Sequence, residues 1–195
     1  MRNRNGFSLL EMIVALAIVG VIALCAVPAF GTYRRRASMT SQVVELQGIF
    51  RSLRMRAIAS GRNAGVKFVQ VGNQWTYSLY EDGDGDGIRS DDIASGVDRR
   101  FAGPSMLTPQ FRIASIALLP NAIRDPDGDP LAPTAPAVQF NRSTICSFSP
   151  TGSATPGSVY ITDGAGELIA VRVTGASGRV RTLRYNTGSR RWVQQ

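Results

Sequence analysis

From Met12 to Phe30 the chain reads MIVALAIVGVIALCAVPAF without a charge, and with Phe7 to Leu10 in front of it the apolar stretch is interrupted only by Glu11. At about 1.5 Å per residue, a helix of this length spans a hydrocarbon core of roughly 30 Å. The sequence therefore predicts a membrane helix over residues 7–30. Arg2 and Arg4 precede it and Arg34, Arg35 and Arg36 follow it, so charge at the flanks does not orient it. Glu11 is the exception within the stretch. An acidic side chain there costs about 2.5 to 3.5 kcal/mol on insertion scales, so it calls for a cation at similar depth. Otherwise it reaches out from the membrane edge to water.

Beyond Tyr33 the helical period continues. Val43, Leu46, Phe50, Leu53 and Ala57 recur at steps of three and four, while Arg51, Arg54 and Arg56 fall mostly elsewhere. Gly61 is a natural stop. The expectation is one helix of roughly 50 residues, membrane-embedded over 7–30, amphipathic over 31–60 and kinked near Pro28. A β-rich globular domain over 61–195 follows. Its strand signals are Val66 to Val71, Trp75 to Tyr80, Phe111 to Leu118, Val138 to Phe140, Thr144 to Phe148, Ser158 to Thr162, Leu168 to Thr174, Val180 to Tyr185, and Trp192 to Val193. With no further helices to serve as crossovers, the fold class is α+β, a long helix packed on a predominantly antiparallel sheet.

The N-terminus reads Met1 to Gly6, a short basic leader, and then Phe7-Ser8-Leu9-Leu10-Glu11. The run G-F-S-L-L-E-x-x-V-A-L-A-I-x-G resembles the signal of type IV prepilins and pseudopilins. That resemblance implies a prepilin peptidase that cuts after Gly6 and methylates Phe7, so that residues 1–6 are lost and the helix is kept. It also implies an inner-membrane, single-pass subunit with a periplasmic C-terminal domain that assembles with other pilins or pseudopilins. Glu11 would then pair with the α-amine of a neighbouring Phe7 and set the register of assembly. In the C-terminal half, Phe148-Ser149-Pro150-Thr151-Gly152, Gly157-Ser158-Val159-Tyr160-Ile161, Val171-Arg172-Val173 and Gly178-Arg179-Val180-Arg181 are similar to the FimT/GspH branch of minor pilins and pseudopilins. Some members of that branch take up DNA through a C-terminal G-R-x-R motif.

Composition removes most chemistry. The chain has no His and only Cys25 and Cys146, which excludes Ser-His-Asp and Cys-His catalysis, imidazole-ligated metals and zinc ribbons. No enzyme and no cofactor are expected. Cys146 reads as a small buried apolar residue. Asp82-Gly83-Asp84-Gly85-Asp86-Gly87 starts like a calcium loop, but Ile93 stands where the bidentate Glu belongs and a strand precedes it, so an acidic hairpin loop without metal is expected. Asp125-Pro126-Asp127-Gly128-Asp129-Pro130 reads as a solvated turn.

Lys and Arg number 22 against 14 Asp and Glu, for a formal charge of +8, and Lys67 is the only lysine. Such a balance favours anionic partners. From Val171 to Gln195 there are six Arg and no acid. Gly178, Arg179, Arg181, Arg184, Arg190 and Arg191 are the candidate contacts to double-stranded DNA, with Gly178 permitting close approach and the arginines meeting phosphates without reading bases. The competing reading is a charged edge that blocks aggregation or faces other subunits. The sequence thus points to a minor pilin with sequence-independent DNA binding. The alternatives are a GspH-type pseudopilin of type II secretion, or an anchored binding protein that never assembles.

Overall fold

The computed structural model describes residues 8–107, 113–121 and 123–194, and of residues 25–29 the backbone only. Gly6, Phe7 and the side chains of Cys25 and Pro28 lie outside that description, as does the first part of the strand expected from Phe111. Helix α1 spans Leu9–Ser60 and passes position 28 as helix. It ends where expected, at Gly61, whose left-handed backbone (φ 68°) lets its N–H donate to the Ala57 carbonyl at 3.0 Å.

The strands are β1 (Ala64–Val71), β2 (Gln74–Glu81), β3 (Arg99–Met106), β4 (Ser115–Ile116), β5 (Ile123–Arg124), β6 (Pro130–Leu131), β7 (Val138–Phe140), β8 (Ile145–Phe148), β9 (Gly157–Thr162), β10 (Leu168–Val173), β11 (Val180–Asn186) and β12 (Arg191–Gln194), with a short helix α2 (Ser90–Ser95) before β3. One antiparallel sheet has the order β3-β2-β1-β8, and a second has β12-β11-β10-β9-β4 with β7 also paired to β9. Strands β5 and β6 form a separate hairpin.

The amphipathic half of α1 packs across both sheets. Met39, Val43, Leu46, Phe50, Leu53 and Ala57 are all buried, and Phe50 sits among Phe68 of β1, Phe140 of β7 and Phe148 of β8 at ring-centroid distances of 6.0 to 6.4 Å. Such edge and tilted ring contacts add to the area term of burial. Cys146 is fully buried in the same core, where desolvation pushes its thiol well above its ordinary pKa. Polar ties fix the helix azimuth: the Gln47 amide donates to Thr182 Oγ1 of β11, and Ser38 Oγ accepts from the backbone N–H groups of Ile113 and Ala114.

Several elements differ from the sequence expectation. The strand expected over Phe111 to Leu118 is only Ser115–Ile116 among the described residues. Strand β3 is missed by propensity because its sequence, RRFAGPSM, holds Gly103 and Pro104; it survives as an exposed edge with register shifts opposite Tyr77 to Tyr80. The Asp125 segment is a turn, as expected, with Asp127, Asp129 and Pro130 exposed, but it belongs to a larger element. It closes the β5–β6 hairpin, with Asp125 accepting from the N–H groups of Asp127 and Asp129, and the hairpin covers the outer face of the second sheet. Leu119, Leu131, Tyr160, Leu168, Ala170 and Tyr185 form a second core there, and Trp192 Nε1 donates to the Arg124 carbonyl at 2.8 Å.

In the first half of α1, the apolar side chains from Leu9 to Leu24 point outward, exposed and uncovered by any other described part of the chain. Among the described residues no helix is long and apolar enough to cross a membrane.

Candidate functional site

The six C-terminal arginines do not form one patch. Arg172 of β10 and Arg181 of β11 are cross-strand partners, but Arg172 is ion-paired with Asp127, reaching over from the β5–β6 hairpin. Arg184 is held by Glu167, its Nε donating to Glu167 Oε2 at 2.8 Å with Nη2 at 2.5 Å from the same oxygen. These two positive charges are already matched. Arg190 and Arg191 lie at the β11–β12 turn, while Arg179 and Arg181 lie at the other end of β11. The five residue steps from Arg181 to Asn186, which pairs with Arg191, separate the two groups by about 17 Å.

What the fold does bring together is the turn after β10 and the C-terminal part of α1. Thr174 N–H donates to the Arg179 carbonyl at 2.9 Å, closing a turn from which Arg179 and Arg181 are exposed. Gly178 is buried at φ 56°, and a Cβ there would stand 2.5 Å from the Gly152 carbonyl oxygen. Glycine is required by both the backbone and the neighbour, so its role is to dock the turn on the Ser149–Ser153 loop rather than to admit a ligand. Across that loop, half-buried Arg54 of α1 places Nη2 3.7 Å from the Cβ position of Gly152. Arg181, the cross-strand partner of Arg172, lies instead on the face of the second sheet turned away from α1, since its neighbour Thr182 is the residue that meets Gln47 of the helix. Among the described residues no ion pair engages Arg54, Arg179 or Arg181. Arg179 and Arg181 offer two exposed guanidinium groups to separate phosphates and no helix or ribbon to enter a groove.

The acidic loop after β2 is built differently. Asp82 is only 1% exposed, and its carboxylate accepts from the N–H groups of Asp84, Gly85 and Gly87 and from Asn63 Nδ2 at 2.5 to 3.0 Å. Burial works against its charge, but these four hydrogen bonds outweigh it and bring the pKa down to about 2. Asp98, 2% exposed, accepts from Gly83 and Arg89 N–H groups; desolvation raises its pKa despite them, with Asp82 and Asp92 adding repulsion. One oxygen each of Asp82, Asp84 and Asp86 lies within 4.8 Å of the others. A carboxylate has about four lone-pair positions, however, and those of Asp82 are all taken by N–H donors. Asp86 is in turn ion-paired with Arg89. The donor set is that of a self-closed loop and does not fit a calcium cage.

Sequence reasoning passes over three other cations at the same end of the domain, Arg62 after α1 and Arg99 and Arg100 in β3, because the strand carrying two of them has no propensity signal. Glu11 lies exposed in the first turn of α1, where a carboxylate also matches the positive helix end.

Comparison with known proteins agrees with this plan. Residues 1–26 match the prokaryotic N-terminal methylation motif, and residues 42–188 match the family of type II transport protein GspH. The type IV major fimbrial protein FimA of Dichelobacter nodosus is 33% identical over 81 residues, 42% of this chain and 49% of that protein. A fimbrial protein of Pseudomonas aeruginosa is 30% identical over 89 residues, 44% of this chain and 57% of that protein. The chain thus spans about half the length of the curated relatives it matches. No solved structure matches it.

Proposed function

We propose that this chain, which belongs to the GspH family of type IV pilin-like subunits, acts as a minor pilin that holds double-stranded DNA, without sequence preference, through Arg179 and Arg181. The observation that carries the reading is that Arg179 and Arg181 are exposed, with no ion pair among the described residues, beside a turn that Gly178 docks on the Ser149–Ser153 loop. In this reading a prepilin peptidase removes residues 1–6, Phe7 becomes the methylated terminus, and residues 7–30 anchor the protein in the inner membrane with residues 61–195 in the periplasm. The exposed apolar face from Leu9 to Leu24 supplies the surface that lipid covers before assembly and other pilins cover after it. Glu11 pairs with a neighbour's terminal amine.

Full-length protein in detergent, titrated with duplex DNA at increasing salt, tests the DNA reading. Arg179→Gln with Arg181→Gln should lower affinity for all sequences alike and flatten the slope of log affinity against log salt by about 1.8, at about 0.9 for each phosphate no longer neutralised. Arg190→Gln with Arg191→Gln, at the far end of β11, should change it less. Absence of binding even at low salt removes the DNA role. The family match to a type II transport protein then favours the second reading, a pseudopilin of a secretion system whose arginines face neighbouring subunits. Processing is checked separately: co-expression with a prepilin peptidase should leave Phe7 as the terminus by mass spectrometry, and Glu11→Ala should leave insertion intact while lowering recovery in sheared filaments.

A further inference from the structure

Just past the C-terminal end of α1, Arg62 and the first two residues of β3, Arg99 and Arg100, line an open groove of about 660 Å³ together with Arg56, Val97 and Phe101. Its two carboxylates are occupied. Glu81 Oε2 accepts from Arg56 Nε at 2.8 Å and lies 2.7 Å from Arg56 Nη2, while Asp82 receives the four N–H donors described above. Arg62, Arg99 and Arg100 are exposed, and among the described residues no ion pair engages them. The Arg56 guanidinium carbon stands 3.9 Å over the centroid of the Phe101 ring, whose residue is still 38% exposed. The groove therefore has a flat cation-on-ring shelf beside three uncommitted positive charges.

We infer that this groove is a second phosphate-contact site, at which Arg62, Arg99 and Arg100 meet a nucleic-acid backbone in addition to its contact at Arg179 and Arg181. The inference rests on the DNA-binding reading above and extends it to residues outside the G-R-x-R motif. One feature favours a polyphosphate over an acidic protein segment added as a strand. The β3 edge carries Pro104, which has no N–H, and register shifts that spoil it as a template for an added peptide strand.

The test uses full-length protein in detergent micelles and a fluorescent duplex across a salt series, with the triple variant Arg62→Gln, Arg99→Gln, Arg100→Gln beside the Arg179, Arg181 double variant. The triple variant should keep the wild-type melting temperature, because no ion pair of the described fold is removed, and should flatten the salt slope by up to about 2.7, with each single variant giving about 0.9. Should the triple variant unfold, the single variants still decide the matter. Wild-type slopes in these variants, alongside a flattened slope in the double variant, would overturn the groove and leave the G-R-x-R contact standing. No binding by the wild-type protein at low salt would remove both. Loss of poly-glutamate binding in the triple variant with DNA affinity unchanged would reassign the groove to an acidic protein partner and overturn the inference.

Discussion

The loop from Asp82 to Asp98 and the turn from Thr174 to Arg179 are both short, glycine-bearing and bordered by charge, yet they use charge in opposite ways. In the loop the charged groups are the architecture: Asp82 collects backbone N–H groups that no strand or helix would satisfy, and Asp98 does the same for Gly83 and Arg89. In the turn a backbone bond between Thr174 and Arg179 and the packing of Gly178 on Gly152 supply the structure, and the guanidinium groups supply none of it. Charge already matched inside the fold is expensive to remove and of little use to a partner. Charge with no internal role is cheap to remove, and a partner can use it.

The largest effect that sharpens this contrast is expected at Asp82. Asp82→Ala deletes an acceptor serving four donors in a nearly solvent-free position and should cost about 3 kcal/mol in urea unfolding. Arg179→Gln with Arg181→Gln should cost under about 0.5 kcal/mol. If the two variants were equally destabilising, the contrast would collapse.

Next comes Gly178→Ala. A φ of 56° and a carbonyl oxygen 2.5 Å from the new Cβ together predict a loss of about 2 kcal/mol. Its effect on DNA affinity should come through displacement of the turn, so affinity should fall while the salt slope keeps most of its value. A flattened slope with unchanged stability would instead mean that Gly178 contacts the ligand directly.

This contrast also marks what the sequence could and could not show. The α1 stripe from Val43 to Ala57, its stop at Gly61 and the strands β1, β2, β7, β9, β10 and β11 were legible because period and propensity are local properties. The burial of Cys146 was legible for the same reason. Strand β3 was not, since only pairing with β2 holds an edge containing Gly103 and Pro104 in place. The fate of each arginine was not legible either. Asp127 meets Arg172 from 45 positions away and Glu167 meets Arg184 across a hairpin, so a run rich in Arg and empty of acid still hides two neutralised members. Arg62, 37 positions from the adjacent pair Arg99 and Arg100, joins them only in the folded chain.

Acidification should separate the two buried carboxylates of the loop. Asp82, with a folded pKa of about 2 against an ordinary 3.8, binds its proton more readily when unfolded, so its contribution is complete above the ordinary value and is lost as pH falls through about 2. That amounts to about 2 kcal/mol. Asp98 has the opposite sign: its raised folded pKa means the native state takes up the proton first, so stability rises as pH falls into its range. Urea midpoints followed from neutral pH downward should show wild type losing stability at the acid end. Asp82→Asn should flatten that loss, and Asp98→Asn should remove the opposing gain.

The smallest expected effect is that of calcium. A ligand that binds only the native state raises the melting temperature by mass action, so a metal held by Asp82, Asp84 and Asp86 would be visible as a shift on adding calcium. In this loop both oxygens of Asp82 are engaged by N–H donors, and Asp86 faces Arg89, which leaves only exposed Asp84 to attract a cation. A single exposed carboxylate binds too weakly to move the transition, and magnesium and calcium should behave alike. A calcium-specific rise of several degrees, abolished by Asp84→Ala, would show that the loop opens its Asp82 hydrogen bonds to take the ion. The loop would then share with the turn at Arg179 the property of holding charge in reserve for a partner.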